Sequence, residues 1–159
     1  MTEKLSHVDD QGRASMVDVG KKMETKRHAV AAAEVHASAA LVKAVQDEAV
    51  KKGNVIEVAR LAGIMGGKQT SNLIPLCHPL PLDHLGVEIE IRGNVFYLTA
   101  TASTTAKTGV EMEALAAVTI AALTVYDMGK AIDKTMAISN IRLLEKSGGK
   151  SGTFHRDDE

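Results

Sequence analysis

Residues 87–92 alternate apolar and polar side chains, Gly93-Asn94 follows as a turn pair, and residues 95–104 alternate again. Two such runs around a two-residue turn spell a β-hairpin. A hairpin is not stable alone, so its apolar face has to be covered by what lies on either side of it in the chain. Before it, residues 27–35 read as a strand, although alanine is a poor strand former. Residues 37–51 read as an amphipathic helix, with Leu41, Ala44, Val45 and Ala49 at three–four spacing and Lys51-Lys52-Gly53 as its stop. Residues 55–68 read as a second helix, loosened at its end by Gly66-Gly67. After the hairpin, residues 110–134 read as one long helix with Glu111 and Glu113 in its first turn, where the dipole favours acids. Residues 136–144 close the pattern as a strand. The order is strand, two helices, hairpin, long helix, strand. It predicts an α+β, ferredoxin-like β-α-β-β-α-β sandwich with an extra helix in the first crossover.

The chain ends around this pattern are polar. Residues through Arg13 read as extended, residues 15–19 as a short strand or an ordered arm, and the Gly-, Ser-, Lys- and Asp-rich stretch from Ser147 as a mobile tail. The expectation is one domain over residues 1–146 and a tail over 147–159, in a chain of 159 residues that is long enough to bury a core.

Composition narrows the classes of function. The formal net charge is -1, so no global field holds nucleic acid or an anionic membrane, and any anion must be held by local lysines. The aromatic residues are Phe96, Tyr97, Tyr126 and Phe154, with no Trp, too few for a base-stacking platform. The core must be aliphatic, and the Ala-rich segments predict closely packed helices. One cysteine, Cys77, excludes an intramolecular disulfide and suits a reducing cytoplasm. The N-terminal residues lack the apolar run of a signal peptide, and no uninterrupted apolar stretch is long enough to span a bilayer.

Three segments carry chemistry. In 73–80, three prolines crowd a loop that sets Cys77 beside His78, and a stiff loop can fix an imidazole for proton transfer or for gripping phosphate. A buried turn with a core thiol is the commoner reading of such a loop. Adjacent residues rarely face each other, which argues against a Cys77–His78 nucleophilic pair, and Cys77, His78 and His84 lack a zinc-ligand spacing. In 107–115, Lys107-Thr108-Gly109 opens a helix whose free N–H groups can take an anion, with Glu111 and Glu113 as acid–base groups or ring acceptors, or simply as acids against the dipole. In 126–130, Asp127 and Lys130 are three apart on one helix face and can form a donor–acceptor pair or a surface ion pair. Gly148-Gly149-Lys150-Ser151 is not a P-loop, because it lacks the earlier glycine and the following helix.

Glu113 and Asp127 share one face of the long helix but lie about 21 Å apart along it at 1.5 Å per residue. They cannot grip one small ligand within one subunit, so a site that uses both has to be shared between copies of the chain.

Met16-Val17-Asp18-Val19, Thr25-Lys26-Arg27, Lys52-Gly53, Ala62-Gly63-Ile64, the 73–80 loop, the Thr108–Leu115 block, Tyr126-Asp127-Met128-Gly129-Lys130 and the 146–152 run occur in that order. Together they resemble the signature blocks of molybdenum cofactor biosynthesis protein C, over nearly the whole chain. The resemblance implies a lyase that converts (8S)-3′,8-cyclo-7,8-dihydroguanosine 5′-triphosphate to cyclic pyranopterin monophosphate and releases pyrophosphate. It implies a cytoplasmic homohexamer, a trimer of dimers of ferredoxin-like subunits with sites between subunits, working on a small molecule rather than on nucleic acid or membrane. By similarity, Asp127, Lys130, Lys52 and Lys68 are catalytic. Leu76, Cys77, His78, Met112, Glu113, Glu111 and Arg27 line the substrate. No cofactor and no metal cluster are expected, although a triphosphate can bring its own magnesium. The chain departs from the family pattern at Asn54, Asn72, Gly66-Gly67 and Gly129. A glycine within a helix costs about 1 kcal/mol against alanine.

Overall fold

A computed structural model describes residues 7–9 and 11–157. Strand β1 (Thr25–His36) leads to α1 (Ala39–Gln46), α2 (Val55–Lys68) and the single turn α3 (Thr70–Leu73). Then come β2 (His84–Arg92), β3 (Val95–Ala106), α4 (Glu111–Gly129), β4 (Ala137–Ser147) and β5 (Phe154–His155). The protein is α+β, with an antiparallel sheet in the order β2-β3-β1-β4-β5 and four helices, an arrangement compatible with a ferredoxin-like sandwich.

The hairpin forms as expected, with Arg92 opposite Val95 across the Gly93-Asn94 turn, and Gly93 takes the positive φ (57°) that such a turn requires. Alternation decides which face of the sheet is covered. Ala29, Ala31, Ala33 and Val35 of β1 and Phe96, Leu98, Ala100 and Ala102 of β3 point one way and are buried. Helix α4 lies on that face, and α2 lies on α4. Alanine at these strand positions lets the helix approach closely, which is why a poor strand former stands in the central strand.

Helix α4 is mostly apolar, and the side facing the sheet and α2 is enclosed: Ala114, Ala117, Val118, Ala121, Ala122 and Val125 are buried, while Met112 and Leu123 stay exposed. It is the one described helix long and apolar enough to cross a membrane by length and composition, and half of that stretch is buried inside this fold. Against it, α2 presents glycine. A Cβ on Gly63 would meet the Ala117 carbonyl oxygen at 2.8 Å, and one on Gly66 would meet Ile120 Cγ1 at 2.6 Å. Gly66-Gly67 is therefore a packing surface, and its contacts with α4 offset its helix cost.

Two helices end earlier than their sequence pattern. Helix α1, expected over 37–51, starts after Ser38, whose hydroxyl accepts from Leu41 N–H at 3.3 Å, and stops at Gln46 because Glu48 turns left-handed (φ 52°). Helix α4, expected to reach residue 134, stops at Gly129, where a Cβ would strike Leu41 Cδ2 at 2.6 Å. The chain then turns so that Asp133 Oδ2 accepts from Ser38 N–H at 2.6 Å, tying the end of α4 to the start of α1. Asp127 and Lys130 consequently sit in the last turn and at the cap of α4, not deep within a helix.

Two further features differ from the sequence pattern, and one choice it left open, strand or arm at residues 15–19, is decided. The expected extended N-terminal segment contains a turn, bridged between Val8 and Ala14, with residues 1–6 and 10 outside the described residues. Residues 15–19 form an arm without strand pairing. Helix α3 and strand β5 have no counterpart in the expected elements; β5 pairs Phe154 with Lys146 and His155 with Glu145.

Candidate active site

The expected site residues fall into two groups at opposite ends of α4. At its C-terminal end, Asp127 Oδ1 is 2.7 Å from Lys130 Nζ and Oδ2 is 2.6 Å from Lys52 Nζ. Lys52 also donates to the Asp127 carbonyl oxygen at 2.8 Å. Lys52 reaches this point because α1 and the turn closed by Gly53 (φ 97°) return the chain to the end of α4. Hydrogen bonds from Lys130 and then Lys52 hold the Asp127 carboxyl down to about 2, and Asp127 in turn raises Lys130. The trio carries one negative and two positive charges on an exposed surface. Asp127 in this setting stays ionised and holds two ammonium groups, which are donors to phosphate or to a basic atom.

At the N-terminal end of α4, Glu113 is 4% exposed. Burial, with the Glu111 charge adding to it, pushes its carboxyl up to about 6, where a carboxyl can gain and lose a proton near neutral pH. Glu113, Met112, Leu76, Cys77 and His78 line a cavity of about 300 Å³. Burial, and then the Glu113 charge, push the Cys77 thiol up, which makes it a neutral wall rather than a nucleophile. His78 Nε2 lies 2.9 Å from the Val17 carbonyl oxygen. A carbonyl only accepts, so Nε2 carries the proton, and in the neutral ring Nδ1 keeps its lone pair.

Beside this cavity opens a cleft of about 910 Å³ whose walls include Lys21, Lys22, Arg27, Lys107, Lys146 and Lys150. Cavity and cleft share Lys22, Thr108, Gly109 and Glu111. Glu111 folds back over Gly109, whose missing Cβ leaves room for the carboxylate, and Lys146 Nζ meets it at 3.0 Å. Arg27 is held by the Ala106 carbonyl, which accepts from its Nε at 3.3 Å, and by Gly148-Gly149, which pack against the Lys26 backbone and the Arg27 guanidinium at positive φ (99° and 76°).

The expected residues Leu76, Cys77, His78, Met112, Glu113 and Glu111 thus come together, with Arg27 in the adjoining cleft. Lys52, Asp127 and Lys130 come together elsewhere. Lys68 is exposed at the end of α2, directly after Gly67, which packs on the start of α4. Asn54 caps α2 by accepting from Glu57 N–H at 3.0 Å, and Asn72 donates to Gln69 at 2.6 Å, so these departures from the family pattern are structural. Lys21, Lys22, Val17 and Val19 also line the site, although the sequence did not mark them as lining residues; the signals were the Met16-Val17-Asp18-Val19 signature block and the pair of lysines that follows it. Among the described residues no group of three or more His, Cys, Asp or Glu side chains is arranged to hold a metal ion.

A ring-sized cavity with a titratable carboxyl, opening into a cationic cleft, is what a phosphorylated heterocycle requires, and comparison with known proteins agrees. The sequence model of the MoaC family matches residues 16–149. The chain belongs to the MoaC family. It is 56% identical over 154 residues to the cyclic pyranopterin monophosphate synthase of Nostoc sp., covering 94% of this chain and 90% of that protein. It is 52% identical to the synthase of Desulfitobacterium hafniense (97% and 95% covered) and 50% identical to that of Thermomicrobium roseum (98% and 95%). MoaC family membership therefore extends over almost the full chain, arm and C-terminal loop included.

Proposed function

We propose that this chain is a cyclic pyranopterin monophosphate synthase, a lyase of molybdenum cofactor biosynthesis that converts (8S)-3′,8-cyclo-7,8-dihydroguanosine 5′-triphosphate to cyclic pyranopterin monophosphate with release of pyrophosphate. The observation that carries this reading is Glu113, buried and poised near 6 in a ring-sized cavity that runs into a cleft lined by lysine and arginine. Opening and reclosing rings needs proton donors and acceptors rather than a redox centre. Glu113 serves as the acceptor. The ammonium groups of Lys52 and Lys130, oriented by Asp127, serve as donors. Loss of pyrophosphate needs cations around the leaving group, which Arg27, Lys146 and Lys150 of the cleft supply.

Glu113 and Asp127 stand on one continuous helix, about 21 Å apart. This separation supports a site assembled from two subunits, in which Lys52, Asp127 and Lys130 of one copy face the Glu113 cavity of another, with Lys68 beside it. The reading carries with it a homohexamer of ferredoxin-like subunits, a trimer of dimers, at work in the cytoplasm. The reading keeps residues 1–146 as the synthase domain and 147–159 as its C-terminal tail, of which residues 147–151 line the cleft.

Turnover tests the reading. The pure protein is incubated with the cyclised dihydro-GTP, and pyrophosphate and the oxidised, fluorescent pterin are followed together. Both appear, and both disappear in Asp127→Asn. Binding without either product would make the chain a ligand sensor with the family's fold.

A further inference from the structure

The block Met16-Val17-Asp18-Val19 has no part in the chemistry above, yet it forms the outer wall of the ring cavity. Val17 and Val19 are half-buried and line that cavity, while Met16, Asp18 and Gly20 face solvent. The arm turns after Val19, whose carbonyl accepts from Lys22 N–H at 3.0 Å, and Asp18 braces the turn by accepting from Gly20 N–H at 2.7 Å. Its backbone joins no sheet. Among the described residues, two hydrogen bonds tie residues 16–22 to the body of the fold. One runs from His78 Nε2 to the Val17 carbonyl at 2.9 Å, the other from Lys107 Nζ to the Gly20 carbonyl at 3.2 Å.

His78 belongs to the lining of the ring cavity and Lys107 to that of the adjoining cleft. His78 stands on the proline-stiffened loop, and Lys107 stands at the junction between β3 and α4. An arm held by two side chains is a strap: it keeps its place only while both donors hold it, and a bond from an ammonium is the stronger kind. We propose that residues 16–22 form a strap that closes the ring cavity, and that Lys107 is the positioning residue that holds it closed through Gly20. The proposal rests on the assignment of that cavity to the substrate's ring system.

Limited trypsin digestion of the substrate-free protein reads the strap directly, because Lys21 and Lys22 are exposed on it. In Lys107→Met, cleavage after Lys21 and Lys22 should be about tenfold faster, the size expected for one charge-assisted bond. The KM for cyclised dihydro-GTP should rise by a similar factor, with kcat within about twofold. Lys107→Arg, which keeps a charged donor, should restore both. Unchanged cleavage in Lys107→Met overturns the proposal. So does faster cleavage with an unchanged KM, which would detach the strap from the site. A raised KM without faster cleavage would mean that Lys107 grips phosphate itself, and would also overturn it. Should Lys107→Met be cut throughout as an unfolded chain, Lys107→Gln is read in the same way. Failure of the ring-cavity assignment would instead appear as parental kinetics in Glu113→Gln, which the digestion does not touch.

Discussion

Lys52 and Asp127, seventy-five residues apart in the chain, meet with Nζ 2.6 Å from Oδ2 and 2.8 Å from the Asp127 carbonyl oxygen. One ammonium thereby reads both the side chain and the backbone at the end of α4. With Lys130 on the other carboxylate oxygen, the arrangement sets two cations a few ångströms apart on either side of one carboxylate.

Asp127→Asn removes the charge that orients both lysines but keeps the shape. Turnover should fall about 100-fold or more, the scale of a lost general acid–base group. Binding of the cyclised dihydro-GTP should be kept within about tenfold. Pyrophosphate release and titration calorimetry check the two halves of this expectation.

Glu113 should set the acid limb of the pH profile. Asp127 is held down to about 2 and is ionised throughout the working range, whereas Glu113 is pushed up to about 6. With ionised Glu113 as the proton acceptor, kcat/KM should fall about tenfold between its plateau and pH 5. Glu113→Gln should abolish that limb along with most of the activity.

The same residue should leave a mark on stability, with the opposite sense to a salt-bridged acid. Its folded-state value lies above the ordinary 4.5, so the fold prefers the protonated form. That preference is fully present below about pH 4.5 and is lost as pH rises through about 6. At pH 8, Glu113→Gln should therefore be more stable than the parent by about 2 kcal/mol, and near pH 4 the two should agree. Denaturant melts at the two pH values measure the difference.

Gly149 should resist substitution for two reasons at once. Its φ of 76° disfavours any side chain, and a Cβ would overlap the Arg27 guanidinium. Gly149→Ala should cost about 1–3 kcal/mol and displace Arg27 from the cleft wall. Thermal melting reads the first effect, and a raised KM for the triphosphate, absent for a substrate fragment lacking phosphates, reads the second.

Gly66→Ala tests the helix interface. Its Cβ would sit 2.6 Å from Ile120 Cγ1, so α2 must lift from α4. A loss of about 1–3 kcal/mol is expected, the cost of overpacking. A gain, as helix propensity alone would give, would show that the interface has slack.

Much of the fold is legible because local pattern and burial agree. The hairpin alternates, and α2 has its cap at Asn54 and its apolar stripe. What was not legible depends on distant partners. The glycine at 129 hints at a helix end, but that no side chain fits there depends on Leu41, almost ninety residues earlier. Strand β5 is two polar-flanked residues long, below any periodic signal. In the site, Glu113 looks like an ordinary acid at a helix start, and only the fold reveals that it is buried. Lys21 and Lys22 look like solvated charges until the arm brings them to the cleft beside Lys107. The family resemblance supplied residue identities that spacing alone left open, and the separation of Glu113 from Asp127 needed only the rise of a helix.

Strand β1 is made early but lies at the centre of the sheet, between β3 and β4. During synthesis it must wait for residues 95–106 before one edge is paired and for residues 137–147 before the other is. An Ala-rich strand with both edges open is a template for any extended chain nearby. The nascent protein is therefore exposed to mispairing until its last tenth is translated, and its folding should be slow for its size, limited by closure of the longest loop in the sheet. Truncation upstream of β4 should yield aggregate rather than a smaller domain.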